Sequence, residues 1–315
     1  MTLAASDVGA QSKITANGIL KGDGSGNITA ANETEVKLVS LPNICNPNLL
    51  DNWYFGNPVN QRGQMGYTGL TTYTIDRWAL ASSASGSFLL HGSDSYSADV
   101  KGTFFQRSEN KRFIVGAKYT LSVLRGLITS PTLYHETFTL TENVGWKSRF
   151  NVNGGTFGFY YGQNTSDIQF DLDVDRTIIA VKLELGSQQT LAHQENGVWV
   201  LNEIPDYGEQ LLKCQRYLRP AALNFIVSNN NGNYYASAIT QSPYPMRTVP
   251  AIVNGDYTAQ VIREATGGQT ATVSKVFPPS VYGSFTLQLT PGGSTIPNFV
   301  YIDSTGFNPL LSAEL

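Results

Sequence analysis

Residues 166–186 read SDIQFDLDVDRTIIAVKLELG, the clearest alternation of apolar and polar residues in the chain. Successive side chains of a β-strand point to opposite faces, so the pattern predicts two strands that each bury one face, joined by a turn at residues 175–177. Such strands belong at the centre of a sheet. The apolar positions are Ile168, Phe170, Leu172, Val174, Ile179, Val181, Leu183 and Leu185.

The sequence around this stretch divides into further short strands. Segments such as GTFFQRS, AKYTLSVLRGLI and GTFGFYYG are separated by Gly, Asn, Ser and Pro. Many short strands without helices predict an all-β fold, with a two-sheet sandwich over residues 45–190. Alternating strands over residues 221–315 predict a second, smaller β domain, which begins with a hairpin in FIVSNNNGNYYASAIT.

One segment has helical spacing instead. In PDYGEQLLKCQRYLRP, residues 205–220, the apolar stripe is Tyr207, Leu211, Cys214 and Leu218. Asp206 and Glu209 can form a capping box at the start, and Pro220 is expected to end the helix. A helix this short is marginal alone, so residues 191–220 are predicted to be a connector whose helix docks its stripe on the β domains. The alternative is a lone helix inside one large domain.

Composition limits the classes of function. Only 14% of the 315 residues are charged, with 21 basic and 24 acidic side chains and no basic cluster, so nucleic acid is not an expected partner. No apolar run reaches the length of a membrane span, and the first residues lack a secretory signal, so we expect synthesis in a cytoplasm. Cys45 and Cys214 are expected to be reduced, buried thiols.

Residues 1–44 are predicted to form an extended N-terminal arm. GILKGDGSGNITAA places short strands around a Gly-rich turn, with Ile19 and Leu20 before it and Ile28 after it. An isolated hairpin is marginally stable, so the arm is expected to pair with another chain or with another part of its own chain.

Several segments resemble bacteriophage and prophage tail fibre proteins. The arm at residues 20–27 is similar to their attachment segments. The middle domain resembles their jelly-roll, carbohydrate-binding-module-like domains through NLL-N-W-F, IDRW (residues 75–78), YTLS (residues 119–122) and KLELG (residues 182–186). The helix ending in CQRYL, the PMR-x-x-P element within residues 243–250 and the terminal LLSAEL resemble segments that follow in the same proteins.

The resemblance implies a homotrimer in the virion tail that attaches to tail or baseplate proteins through its arm and binds a host cell-surface polysaccharide. It also implies glycan sites in which exposed aromatic rings stack on sugars beside amides and carboxylates. The aromatic candidates in the middle domain are Trp53, Tyr54, Tyr67, Tyr73, Trp78, Trp146, Phe157, Phe159, Tyr160 and Tyr161.

Most of these rings are expected in the core, Trp78 among them, because aromatic side chains bury the most apolar area. In FGFYYGQN the alternation turns Phe157, Phe159 and Tyr161 inward. The candidate ligand contacts are then Tyr160, Gln163 and Asn164.

The C-terminal domain supplies a second set of candidates in the loop of its first hairpin. These are Asn229, Asn230, Asn231 and Tyr234, with Tyr235 beside them. The same residues also suit plain turn chemistry, so both interpretations stay open.

Asp171, Asp173 and Asp175 lie on the polar face of the strand in residues 166–175. They are weak candidates for a structural calcium site, and a solvated strand face is the alternative. His91, His135 and His193 share no catalytic or metal-binding motif and are expected at the surface. The sequence therefore predicts no catalytic residue.

Three functions remain. The first is a receptor-binding tail fibre protein that binds host glycan without catalysis. The alternatives are a structural tail or baseplate spacer without host contact, and a polysaccharide depolymerase, which needs paired carboxylates in a groove.

Overall fold

The computed structural model describes residues 20–22, 28–30, 45–69, 72–81, 86–91, 97–221, 224–230, 232–238, 245–253, 257, 261–264, 270–282, 284–291, 299–302 and 309–314. The chain divides into two compact units, Met1–Cys45 and Asn46–Leu315. The described residues are mostly in strands, with one α-helix among them, so the all-β prediction is confirmed. Within the same residues no helix has the length and apolarity needed to cross a membrane.

The first unit contains a short antiparallel pair, β1 (Leu20–Gly22) and β2 (Ile28–Ala30). Leu20 lies opposite Ala30, and Gly22 lies opposite Ile28. The two strand-like pieces predicted around the Gly-rich turn are therefore strands that pair with each other, while residues 23–27 between them lie outside the described part of the chain. The pairing of the arm with another chain stays a prediction.

Ten strands of the second unit form one antiparallel sheet. They are β3 (Gly66–Thr68), β4 (Thr72–Tyr73), β5 (Trp78–Leu80), β6 (Ser87–Leu90), β7 (Ala98–Glu109), β8 (Lys118–Arg125), β9 (Thr132–Thr139), β10 (Gly145–Asn151), β11 (Gly155–Tyr161) and β12 (Thr165–Leu185). The main path runs β10-β11-β12-β7-β5-β4, while β6 pairs with β3 and β7, and β8 pairs with β12 and β9.

Strand β12 contains residues 166–185 of the alternating stretch, and the chain does not reverse within it. Its first half pairs with β11 and β7, and its second half pairs with β8. The predicted turn at residues 175–177 is wrong, because a register shift between Leu172 and Arg176 takes the intervening residues out of the ladder without ending the strand. Val174 and Leu185, predicted to be buried, are exposed.

The second half of β12 is covered on both faces. Ala180, Lys182 and Glu184 are as buried as the apolar residues between them. A strand buried on both sides loses its simple alternation, which is why the sequence pattern identified only one of its faces.

The sheet folds over on itself around one aromatic core. Phe138 of β9 stacks on Phe159 of β11 with 5.3 Å between ring centroids, although these strands belong to different arms of the sheet. Phe157 stacks on Phe170 at 4.0 Å. Trp78 is fully buried, which confirms its predicted place in the core.

Segment 46–55 lies along one side of β12 and is hydrogen-bonded to it. The side-chain amide of Asn48 donates to the Val181 carbonyl at 2.8 Å, and its oxygen accepts from the Leu183 amide at 3.1 Å. The Phe55 amide donates to the Ile179 carbonyl at 2.9 Å. Two of the motifs on which the resemblance rests, NLL-N-W-F and KLELG, are therefore hydrogen-bonded to each other.

The connector contains a hairpin of β13 (Ala192–Glu195) and β14 (Val198–Leu201). Glu184 accepts from the Thr190 amide at 2.8 Å and from its hydroxyl at 2.5 Å. The Lys182 ammonium lies 3.5 Å from the Thr190 carbonyl and 3.4 Å from a Glu203 carboxylate oxygen. The charged residues of KLELG thus hold the connector against the sheet.

Helix α1 (Tyr207–Gln215) begins where the sequence predicts, because the Asp206 carboxylate caps the Glu209 amide at 2.9 Å. It ends earlier than predicted, and Pro220 lies in strand β15 (Leu218–Pro220) instead of stopping a helix. The predicted stripe is wrong at Tyr207, which is exposed. The buried face consists of Gln210 and the free thiol Cys214.

The helix segment is tied on one side to residues 52–61, which precede the ten-stranded sheet, and on the other side to the C-terminal residues. Gln210 accepts from the Asn52 amide at 2.7 Å, and the Gln61 side chain donates to the Leu218 carbonyl at 2.6 Å. The Ala313 amide donates to the Tyr217 carbonyl at 2.6 Å. All three hydrogen bonds lie inside the unit Asn46–Leu315.

The C-terminal part is also built of strands, namely β16 (Asn224–Asn230), β17 (Asn233–Ala238), β18 (Ala251–Val253), β19 (Val261–Glu264), β20 (Thr270–Val276), β21 (Thr286–Pro291), β22 (Phe299–Ile302) and β23 (Leu310–Ser312). A closed barrel has the order β16-β17-β21-β20-β19-β22, and a small sheet has the order β15-β23-β18. The predicted hairpin is the β16–β17 pair.

Candidate functional site

Strands β10, β11, β12 and β7 lie side by side and turn one face outward. Their inward residues, including Phe157, Phe159, Ile168, Phe170 and Phe104, belong to the core. Because cross-strand neighbours in register share a face, the outward residues follow from the pairing. We call this set the Trp146 face: Trp146, Arg149, Thr156, Tyr160, Asp167, Gln169, Asp171, Arg107, Phe105 and Thr103.

One row of the Trp146 face crosses all four strands. Trp146 pairs with Tyr160, Tyr160 with Asp167, and Asp167 with Arg107. The Trp146 and Tyr160 rings meet edge to face, with centroids 5.4 Å apart. The row therefore begins with two aromatic rings and ends with an ion pair.

Gly158 leaves room for the indole of Trp146 in the next row. A Cβ atom at Gly158 would lie 2.9 Å from Cζ3 of Trp146 and would clash with the Ser148 carbonyl oxygen. The Arg149 guanidinium lies over the indole at 4.7 Å from the ring centroid. Trp146 thus packs against the backbone at Gly158, the ring of Tyr160 and the guanidinium of Arg149, while 36% of its surface stays exposed.

A β-bulge directs Trp146 to this face. The register with β11 shifts between Trp146 and Ser148, so that Lys147 has no partner in the ladder. Gly145, just before the bulge, has a φ of 139°, a region that favours glycine. Bulges re-aim side chains and occur often beside functional sites.

Hydrogen-bonded ion pairs fill the remainder of the face. Arg107 binds Asp167 through two parallel bonds of 2.8 and 3.0 Å, and this hydrogen bonding raises the pKa of Arg107 above its usual value. Arg149 donates to Asp171 at 3.2 Å, and Gln169 donates to the other Asp171 oxygen at 2.8 Å. These side chains are therefore fixed in position before any ligand arrives.

The structure separates the three candidates predicted in the middle domain. Tyr160 lies on the Trp146 face, half-buried beside Trp146. Gln163 and Asn164 are exposed in the turn between β11 and β12, where the Asn164 carbonyl accepts from the Asn110 amide at 3.1 Å. Tyr160 thus belongs to a cluster, whereas Gln163 and Asn164 lie at the end of the sheet.

The C-terminal candidates that the structure describes lie in two paired strands. Asn229 and Asn230 lie in β16, opposite Tyr234 and Asn233, and Asn231 lies outside the described residues. Tyr234 packs against the barrel core, so its ring is half-buried instead of displayed on a loop as predicted. Their role in ligand binding stays a prediction.

The three calcium candidates are spread along β12 and its irregular segment. Asp171 is engaged by Arg149, Gln169 and Thr103, Asp175 accepts from the Ser87 hydroxyl at 2.8 Å, and Asp173 is exposed. Within the described part of the chain, no group of three or more His, Cys, Asp or Glu side chains is arranged to hold a metal.

The histidines lie at polar edges. His135 is exposed, and His91 lies 2.9 Å from an Asp99 carboxylate oxygen. His193 contacts Glu195 at 2.8 Å, and this hydrogen bond, together with one to Asn202, raises the pKa of His193. Glu195 is two residues from His193 in the chain, and Asp99 lies on the strand next to His91. Both contacts are ordinary surface pairs.

Arg149 and Arg107 were not predicted as site residues, and Trp146 was only one of ten aromatic candidates. A signal for the site exists in GTFGFYY, where the outward positions are Thr156, Gly158 and Tyr160. A glycine between outward residues of a strand indicates close approach by another group. That group is the indole of Trp146.

No family model, no curated protein and no solved structure matches the chain.

Proposed function

We propose that this protein is a bacteriophage tail fibre or receptor-binding protein that binds a host cell-surface glycan without catalysis, through the Trp146 face. The motifs that resemble tail fibre proteins support the class of protein. The geometry of the Trp146 face supports the location of the site.

The observation that carries the proposal is the exposed indole of Trp146 beside fixed polar groups. Sugar rings bind proteins by stacking their C–H faces on aromatic rings, while their hydroxyls bond to amides, carboxylates and guanidiniums. Trp146 and Tyr160 offer the rings, and Gln169, Asp167 and Arg107 offer the polar partners on the same face. Because Arg107, Asp167 and Gln169 are already held by hydrogen bonds, binding costs little ordering of these side chains, while stacking on the indole requires Arg149 to move off the ring.

The finer architecture belongs to the same proposal. The ten-stranded sheet is taken as a jelly-roll module, and residues 1–44 as an arm that attaches to tail or baseplate proteins in a homotrimer. A shallow sugar site of millimolar affinity is worth only about −4 kcal/mol, and linked copies multiply binding by roughly 10² to 10⁴. A trimer with three such sites would therefore bind the host surface much more tightly than one site alone.

The test is a glycan array of bacterial surface polysaccharides, followed by calorimetric titration of the best oligosaccharide. Trp146→Ala is expected to weaken binding by at least about tenfold. The matched control is Tyr282→Ala, which removes another exposed aromatic ring, and Asn230→Ala reports on the C-terminal candidates. Loss of binding in Asn230→Ala alone would move the site to the barrel.

Two further outcomes would contradict the proposal. A baseplate or spacer protein would bind no glycan on the array and would not compete with phage for host cells. A depolymerase would release new reducing ends when incubated with capsule or cell-wall polysaccharide, and those ends are measured directly.

A further inference from the structure

We infer that the ligand of the Trp146 face is a neutral glycan chain that crosses the strands, and not an anionic polymer. The inference rests on the proposed function and adds the chemical class of the ligand. It is carried by the charge balance of the face.

Every arginine of the Trp146 face has a carboxylate partner. Arg107 and Asp167 form a two-pronged pair with bonds of 2.8 and 3.0 Å, and Arg149 lies 3.2 Å from Asp171. Two positive and two negative groups leave the face without net charge. A phosphate or carboxylate on a ligand would therefore gain from one arginine what it loses to the neighbouring aspartate.

Displacing the aspartates would not help an anionic ligand. A two-pronged arginine–carboxylate pair is already the preferred geometry of both groups, so an incoming anion only exchanges one such pair for another. Asp167 and Asp171 would then face the ligand without a partner. Hydroxyl groups avoid this cost, because they can donate to a carboxylate and accept from a guanidinium without breaking the pair.

Two lysines lie at the border of the face, outside the row that begins at Trp146. Lys147, in the bulge, donates to Asn143 and lies over the ring of Tyr161 at 5.9 Å, and Tyr161 packs against the core side of the sheet. Lys111 lies 2.9 Å from Glu109 at the end of β7. The charge of Lys111 is thus paired with a carboxylate, and the ammonium of Lys147 lies with Tyr161 on the core side of the sheet, away from the row that begins at Trp146.

The row from Trp146 to Arg107 sets the direction in which the glycan chain lies on the face. It crosses four strands in register, and strands lie about 4.8 Å apart, so it spans roughly 14 Å and accommodates about three sugar units. The aromatic pair is at one end and the ion pair at the other. An oligosaccharide laid across the strands can therefore stack at Trp146 and place hydroxyls at Asp167 and Arg107 together.

The experiment compares two panels of polymers on the whole protein. Neutral gluco-, galacto- and manno-oligosaccharides form one panel, and hyaluronan, polysialic acid and poly(glycerol phosphate) form the other. Tryptophan fluorescence and calorimetry are recorded at about 0.05 and about 0.5 M NaCl, since salt screens charge–charge attraction. We expect binding to a neutral oligosaccharide, with an affinity that changes less than about twofold with salt.

Two variants sharpen the test. Trp146→Ala is expected to abolish the binding, and near-ultraviolet circular dichroism of the buried tryptophans checks that the variant is folded. Asp171→Asn leaves Arg149 without its carboxylate, so this variant is expected to gain salt-sensitive binding to an anionic polymer that the wild-type protein does not bind.

The outcomes separate the inference from the proposed function. Salt-sensitive binding of the wild-type protein to an anionic polymer, abolished by Trp146→Ala, would overturn the neutral ligand and keep the glycan site. Binding that Trp146→Ala does not affect, or no binding to either panel, would overturn both.

Discussion

The guanidinium of Arg77 lies over the ring of Tyr217, with its carbon 3.5 Å from the ring centroid. Arg77 is fully buried and also donates to Asp51 and to the Arg107 carbonyl. Tyr217 follows helix α1. Segments far apart in the sequence, IDRW and CQRYL, therefore form one contact between the ten-stranded sheet and the helix segment.

Arg77→Lys should destabilise the protein although it keeps the charge. Lysine cannot stack a planar group on Tyr217 or reproduce the two directed bonds, and the ammonium stays buried beside Asp51. We expect the free energy of unfolding to fall by about 2–4 kcal/mol, measured by urea denaturation. The matched control is Arg149→Lys on the exposed face, where the loss should stay below about 1 kcal/mol. Equal losses in the two variants would show that the stacking contributes little.

Cys214→Ser tests the buried face of helix α1. The thiol is fully buried, and burial raises its pKa well above the usual value, so it is a packing group without thiolate character. A serine hydroxyl there loses its bonds to water, at a cost of about 1–3 kcal/mol. Thermal unfolding of Cys214→Ser, Cys214→Ala and the exposed control Leu212→Ala measures this. An unchanged melting temperature in Cys214→Ser would mean that the helix face is not buried in solution.

Several of the segments that resemble tail fibre proteins hold the fold together. Asn48 binds β12, Lys182 and Glu184 hold the connector, and Arg77 and Tyr217 stack on each other. Asn48 is half-buried, and the other four side chains are buried although they carry polar groups, so each needs its specific partner. The strands and the helix start could be predicted because they depend on local periodicity and capping.

The Trp146 face could be predicted only in part. Tyr160 follows from alternation in β11, but the bulge that directs Trp146 outward has no periodic signature. Arg149 and Asp171 lie on strands whose neighbours are fixed by the fold, so their pairing cannot be obtained from spacing. The same limit applies to the stretch at residues 175–177, where an irregular register with β7 resembles a turn in the sequence.

Asp76 and Glu314 make stability depend on pH. Both carboxylates are buried around one arginine, Arg62, and Glu314 also accepts from the Arg77 amide. Burial outweighs the arginine and raises each pKa to about 6. The usual pKa values of these two carboxyl groups are 3.8 and 4.5. The stability that the two protonated groups contribute is therefore complete below a pH of about 4 and is lost as the pH rises through about 6. We expect the free energy of unfolding to be about 1–3 kcal/mol lower at pH 7.5 than at pH 5.

Denaturation curves at several pH values check this, with variants that remove one titrating group. Glu314→Gln and Asp76→Asn should each flatten the dependence between pH 5 and pH 7.5, whereas Asp173→Asn, an exposed carboxylate, should leave it unchanged. Asp51 acts in the opposite direction. Burial raises its pKa, but its arginine partners lower the pKa by more, to below the usual value of 3.8. The stability that ionised Asp51 contributes is therefore lost only when the pH falls below 3.8. A slope of opposite sign in the wild-type protein would contradict the prediction.

Gly158→Ala tests the packing that holds Trp146. The new methyl group would lie 2.9 Å from Cζ3 of Trp146 and would press on the Ser148 carbonyl, so β10 must shift and the indole must move. We expect a loss of about 1–3 kcal/mol in stability, a changed tryptophan emission and at least about tenfold weaker glycan binding. The matched control is Gly66→Ala, another strand glycine, whose added methyl group meets its nearest neighbour at an ordinary 3.6 Å and should change none of the three. Retained binding in Gly158→Ala with altered emission would show that the position of the indole over Gly158 is not needed for recognition.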